Sequence, residues 1–312
     1  MRDVSPAEIK RRIDIAALLP AMRDALRAEA EGRVDVPPRA GWRLGGGDFG
    51  MLAMPARSEE LKLAAFKFLT LVDGNRALGI PGVMGELTVL DAVTGAAVAR
   101  LPAEEVTLLR TAGCCAVATD LLAPRGADSL ALFGSGPQAA HHAAAMLAVR
   151  PIKRVLVLGR DHGRAARLAA DLRSRFAVDT AAGPDAAALR EAAIICTTTN
   201  ARQALFAAND VHPDVHINAI GSYRPDMCEL PAALLQEAAI FADSKPAVAR
   251  EAGDLLAAFG SEEAAMARMR AIGELISQPS ATRPKGRTVY KAVGNAGQDL
   301  YAAAAILKLL ED

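Results

Sequence analysis

A chain of 312 residues with 52% hydrophobic and 23% charged side chains can bury a large core and is too apolar to stay disordered. Its 36 basic and 36 acidic residues cancel, so no net positive field points to nucleic acid or a membrane surface as partner. No apolar run reaches the length that spans a bilayer. The opening stretch, MRDVSPAEIKRRIDIA, is charged where a secretory leader needs an apolar centre. Cys114, Cys115, Cys196 and Cys228 contain no C-x-x-C pair and read as buried thiols of a reducing compartment. A cytoplasmic protein of two domains is expected.

In chain order, residues 5–31 read as helices. Ser5 with Glu8 has the form of a capping box, and Ile15, Leu18, Leu19, Met22 and Leu26 recur at helical spacing. Pro37 and Pro38 end that region. From Arg39 to Thr94 the signals are strand-like: GWRL, FGMLAM, LAAFKFLTLV and GELTVLDAVTG, with Gly45 to Gly50 as a hairpin loop. No helix pattern follows that loop, so it is not read as a phosphate cradle. Asp48-Phe49-Gly50 spells a kinase triplet with no other kinase part around it. Residues 104–122 are predicted to form one long helix. Strands at 130–133, 153–158, 177–180, 193–198, 216–220 and 239–242 then alternate with helices, the pattern of a doubly wound parallel sheet. Residues 279–287 are a polar crossing segment, followed by a strand at 288–293 and a helix from 298 to 310.

The first unit of that alternation carries a motif. Leu130 to Phe133 is an apolar strand, Gly134, Ser135 and Gly136 form a turn, and Pro137 opens an Ala-rich helix through Gln138 and Ala139. Gly134, Gly136 and Ala139 fit G-x-G-x-x-A, the dinucleotide fingerprint. Its first glycine permits the turn, its second lets backbone approach a pyrophosphate, and its small third residue lets helix pack on strand. Amide groups at the helix start face the phosphates. A dinucleotide is the expected cofactor, with a purely structural turn as the other reading of the motif. Arg160 ends the next strand, with Arg164 and Arg167 following. An arginine there suits a 2′-phosphate, so NADPH is favoured over NADH. Adjacent Asp161 argues the other way if it turns toward a ribose, and the later arginines also fit a solvated helix face.

A cofactor domain does not define a reaction. Lys67, flanked by apolar residues in LAAFKFLTLV, either snorkels from an edge or points into a cavity where desolvation lowers its pKa. Arg39 and Arg110 are candidates to grip a carboxylate, although either alone also reads as a surface arginine. His212 and His216 have i,i+4 spacing, but Pro213 opposes a metal-binding helix, and no metal is expected.

The motifs resemble those of the ornithine cyclodeaminase/mu-crystallin family through nearly the whole chain. Pro38-Arg39 with Met54-Pro55-Ala56, Lys67 with Asn75, and Gly85, Asp91 and Thr94-Gly95 follow its order. Thr107, Arg110, Thr111 and Ala112 match its T-x-x-R-T-A helix, and Gly134 to Ala139 its G-x-G-x-Q-A. Glu274-Leu275, Arg283, Tyr290 to Gly294 and Asp299 echo its C-terminal block. The resemblance implies a Rossmann-type domain at 114–285 and an α+β substrate and dimerisation domain built from 1–113 with 286–312. It implies a homodimer and a small amino or imino acid substrate, held by Arg39, Lys67, Arg110 and Tyr223, with Lys67 catalytic. Cofactor contacts are implied at Arg110, Thr111, Gly134, Ser135, Gly136, Pro137, Gln138, Arg160, Thr198, Ile220, Gly221 and Ala292.

One departure ranks the reactions. Where the cyclodeaminase has an aspartate for the ornithine amine, in a G-G-D-x-P context, this sequence has Tyr223 in Gly221-Ser222-Tyr223-Arg224-Pro225-Asp226. Losing that carboxylate removes the partner of a cationic side chain. Reduction of a cyclic imino acid, or reversible amino-acid dehydrogenation, is therefore expected ahead of ornithine cyclisation. A non-catalytic, crystallin-like binding protein is the third reading.

Overall fold

A computed structural model describes residues 1–47, 49–278 and 282–311. Asp48 of the kinase-like triplet and residues 279–281 of the crossing segment lie outside the described residues. The chain divides into two units, Met1–Thr111 with Gly294–Asp312, and Ala112–Val293. The division expected at 113/114 and 285/286 is thus displaced to 111/112 and 293/294.

The first unit is a seven-stranded sheet backed by helices. Its order is Arg2–Asp3, Ala97–Pro102, Val83–Asp91, Leu63–Val72, Phe49–Ser58, Val34–Asp35, with Ala40–Leu44 also paired to Phe49–Ser58. Apart from the parallel pair at Arg2–Asp3 the ladder is antiparallel. The capping box expected at Ser5 is half formed. Ser5 Oγ accepts from Glu8 N at 3.2 Å, but the Glu8 carboxylate takes Arg2 at 2.7 Å. Asp14 caps the helix Ile15–Ala30, whose Ile15, Leu18, Met22 and Leu26 are buried. This helix packs on the C-terminal helix Ala296–Glu311, which in turn covers strands Phe49–Ser58, Leu63–Val72 and Val83–Asp91. In a strand successive side chains alternate faces. Ala65, Lys67 and Leu69 are therefore buried under that helix, while Phe66 on the other face is 41% exposed.

The second unit is an eight-stranded, all-parallel sheet. Its order is Asp179–Ala182, Arg154–Leu158, Ser129–Phe133, Ile194–Thr197, His216–Ala219, Thr288–Lys291, Ala239–Ala242, Met269–Ala271. From Ser129–Phe133 the chain first winds outward to one edge, then returns to add Ile194–Thr197 on the other side. That reversal is the topological switch point, where doubly wound sheets bind ligands outside the strands' carboxyl ends. The strand Thr288–Lys291, expected to belong with the chain ends, instead inserts here between His216–Ala219 and Ala239–Ala242. Its four residues are wholly buried, and both edges find backbone partners, which the end of the sequence does not reveal. Among the described residues no helix is long and apolar enough to cross a membrane.

Candidate active site

In the first unit the C-terminal helix carries Asp299 onto the covered face of the sheet. Lys67, 1% exposed, donates from Nζ to Thr107 Oγ1 at 2.6 Å and to Asp299 Oδ1 and Oδ2 at 3.1 and 3.0 Å. Thr107 Oγ1 in turn donates to Ala103 O at 2.6 Å, so toward Lys67 it is an acceptor. The snorkelling alternative for Lys67 is thereby replaced by the buried one. Arg110, on the helix Ala103–Leu122, gives Nε to Asp299 Oδ1 at 3.0 Å and Nη1 to Gln298 Oε1 at 3.2 Å. Gly294 lies under this guanidinium at φ +73°, and a Cβ there would run into it, so glycine is what lets the backbone pass. Thr111 is buried next along the helix.

One carboxylate faces two buried cations, so Lys67, Arg110 and Asp299 together keep an excess positive charge. Burial lowers the Lys67 pKa from 10.5 to about 8. The Asp299 charge opposes that fall, and the charges of Arg110 and Arg39 add to it. Arg39, half-buried just before Ala40–Leu44, is thus electrostatically part of the cluster. Such a site suits a small anion bearing a group that exchanges a proton near neutral pH.

In the second unit the glycine turn stands at the switch point. Gly134, at φ +117°, leaves no room for a side chain against Thr198, whose N–H and Oγ1 donate to Phe133 O at 2.8 and 3.0 Å. Gly136 is the N-cap of the helix Pro137–Val149 without a side-chain cap, and no atom lies within 4 Å of where its Cβ would be. Uncapped amides and open space at this residue are what a pyrophosphate requires. Gln138 Oε1, in the first turn of this helix, is buried with no hydrogen-bond partner among the described residues. Ser135, Gly136 and Pro137 share a surface groove with Arg164, Arg167 and Leu168. These residues fit a dinucleotide.

The other predicted positions fall in three places. Thr198, Ile220, Gly221 and Ala292 cluster at the carboxyl ends of adjacent strands, where Ile220 N donates to Thr197 O and Ala292 N to Ala219 O. Arg160 is exposed at the end of Arg154–Leu158, while Asp161 caps the next helix by accepting Arg164 N at 2.9 Å. That cap and the neighbouring Arg164 guanidinium at 3.5 Å both engage the Asp161 carboxylate. Tyr223 is partly buried against the apolar core of the unit. Asp226 is forked by Arg224 at 3.0 and 3.1 Å and approached by Arg202 at 3.2 Å.

Sequence reasoning did not assign site roles to Asp299, Thr107 or Gln298. An acid in the first turn of the Ala- and Leu-rich helix Ala296–Glu311 was the available sign. It also passed over Glu229, fully buried in the second unit beside Gly221.

A parallel sheet with a glycine turn at its switch point defines a Rossmann-type domain, here in a chain that also buries a lysine–arginine–carboxylate cluster. The chain belongs to the ornithine cyclodeaminase/mu-crystallin family, which it matches over residues 3–312. It is 35% identical over 258 residues to the Delta(1)-pyrroline-2-carboxylate reductase of Bacillus cereus, covering 81% of this chain and 79% of that protein. To the ketimine reductase mu-crystallin of Mus musculus it is 30% identical over 253 residues, 81% of this chain and 78% of that one. The solved structure of Thermococcus litoralis Delta(1)-pyrroline-2-carboxylate reductase, in complex with NADH and L-proline, shares the fold. Its TM-score is 0.92 at 24% identity, over 100% of this chain and 98% of that one.

Proposed function

We propose that this protein reduces a cyclic imino acid with a carboxylate on the C=N carbon, using NADPH; Δ1-pyrroline-2-carboxylate, for which its bacterial relative is named, is the first substrate to try. The observation that carries this reading is the buried excess of positive charge around Lys67, Arg110 and Asp299. The substrate carboxylate is held by Arg39 and Arg110, whose planar forks match its two oxygens. Lys67, with its pKa near 8, is largely protonated at neutral pH and hands a proton to the ring nitrogen as the C=N π pair collapses onto it. When bound, the nicotinamide supplies the hydride for the imine carbon. Asp299 keeps both cations aligned, and Thr107 Oγ1 accepts a further hydrogen bond from the Lys67 ammonium.

The engaged carboxylate of Asp226 and the core-packed ring of Tyr223 support reduction over ornithine cyclisation, since neither offers a charge for the second amine. The carboxylate requirement gives the test. Against Δ1-pyrroline-2-carboxylate, the same ring without its carboxylate should lose about 10²–10³-fold in kcat/KM, the size of one or two charge-assisted hydrogen bonds. Equal turnover of both imines would sink the reading.

The preference for NADPH is supported by the helix-capping role of Asp161 and by Arg160 and Arg167 beside it. Arg160→Asp is expected to weaken NADPH binding by roughly 1–3 kcal/mol and to spare NADH. Titrations giving equal losses for both would reduce Arg160 to a surface residue. A homodimer is supported by the uncovered face of the first sheet, where Trp42, Phe66 and Met84 are exposed. Four thiols, three of them buried, suit a reducing, cytoplasmic setting.

A further inference from the structure

Two loops leave the second sheet side by side. Thr198 and Thr199 follow the strand Ile194–Thr197, and Ile220 and Gly221 follow His216–Ala219, with which it pairs in parallel. Between them lies Glu229, fully buried. Its Oε1 accepts Thr199 N and Thr199 Oγ1, both at 2.7 Å. Its Oε2 accepts Gly221 N at 2.8 Å and Thr197 Oγ1 at 2.6 Å. All four donors belong to the two strand ends and their loops. Gly221 has no room for a side chain because its Cβ would meet this carboxylate.

Glu229 is itself braced from behind. Asp254 Oδ1 accepts Glu229 N at 2.5 Å, and Asp254 Oδ2 accepts Lys291 Nζ at 2.8 Å. Asp254 and Lys291 are 1% and 0% exposed. A carboxylate buried this deeply is costly unless every lone pair is used. Among the described residues the carboxylate accepts only from the edge where a doubly wound sheet takes its ligand.

We propose that Glu229, braced by Asp254 and Lys291, is a positioning residue for the cofactor. It holds Thr199 and Gly221 in register, and with them the backbone against which the dinucleotide lies. This rests on the proposed reading that Thr198, Ile220 and Gly221 contact that cofactor.

Glu229→Gln keeps the shape but turns one acceptor into an NH₂ group, which must face a Thr199 or Gly221 donor. A fluorescence titration with NADPH, needing no substrate, is expected to show a Kd raised about 10- to 100-fold. In turnover, KM for NADPH should rise while KM for the imino acid and kcat at saturating cofactor stay within about threefold, because the Lys67 cluster is untouched. Thr199→Val, a gentler change should Glu229→Gln fail to fold, is expected to raise the NADPH Kd in the same direction by about three- to tenfold. If the wild type binds NADPH and the folded variants bind it equally well, the assignment of Glu229 is overturned alone. If the wild type binds neither NADPH nor NADH, the proposed function falls and this inference with it.

Discussion

Replacing Lys67 with methionine is expected to lower imine turnover by about 10²–10⁴-fold, the usual range for a lost general acid. Methionine keeps most of the stem and removes the ammonium. Asp299 still has Arg110, and Thr107 still has Ala103 O, so no buried charge is orphaned and the fold should survive. NADPH binding, proposed to rest chiefly on the turn at Gly134 and Gly136, should change little. The wild-type pH profile gives a second readout. Because burial holds the Lys67 pKa at about 8, against the pull of Asp299, kcat/KM for reduction should be flat below that value and fall above it. Stability moves the other way. Between about 8 and 10.5 the unfolded chain binds more protons at this lysine than the folded one, so this group's contribution to stability rises with pH across that window. Activity falling while unfolding free energy holds or rises would identify Lys67. A Lys67→Met enzyme with full reductase activity would remove it from the chemistry.

Asp299→Leu is expected to destabilise the chain by about 3–5 kcal/mol, the scale for orphaning a buried ion-pair partner. Two cations, Lys67 and Arg110, would then share a covered face without a counter-charge. Urea unfolding measures the loss. Asp299→Asn, which keeps the volume and an acceptor, serves for the kinetics. With the carboxylate gone, the influence that raises the Lys67 pKa is removed, so the alkaline fall in activity should begin below about 8. Unfolding unchanged by Asp299→Leu, together with an unmoved pH profile for Asp299→Asn, would contradict the bridging role.

The sequence was most readable where chemistry is local. The turn at Gly134 and Gly136 needs a strand before it and a helix after it, and all three lie within a few residues. Lys67 was visible as a cation in an apolar strand, but which face it occupied depended on pairing along the sheet. Its partner was harder still. Asp299 lies 232 residues further on, and no periodicity links a strand to a helix at that distance. Glu229 had no pattern to announce it, because its role comes from two loops whose meeting is a tertiary event. The strand Thr288–Lys291 is legible as a strand, but its place in the second unit between earlier strands follows from sheet order rather than chain order. The strand Ala97–Pro102 was passed over because AVARLP is short and runs straight into the helix that follows.

The most direct measurement compares two reactions on one preparation of the wild-type protein. NADPH loss is followed with Δ1-pyrroline-2-carboxylate, and ammonia release is followed with ornithine and NAD⁺. The expected result is stoichiometric NADPH oxidation with formation of the saturated amino acid, and no ammonia above the protein-free control. Ammonia from ornithine, with every cyclic imino acid left unreduced, would contradict it.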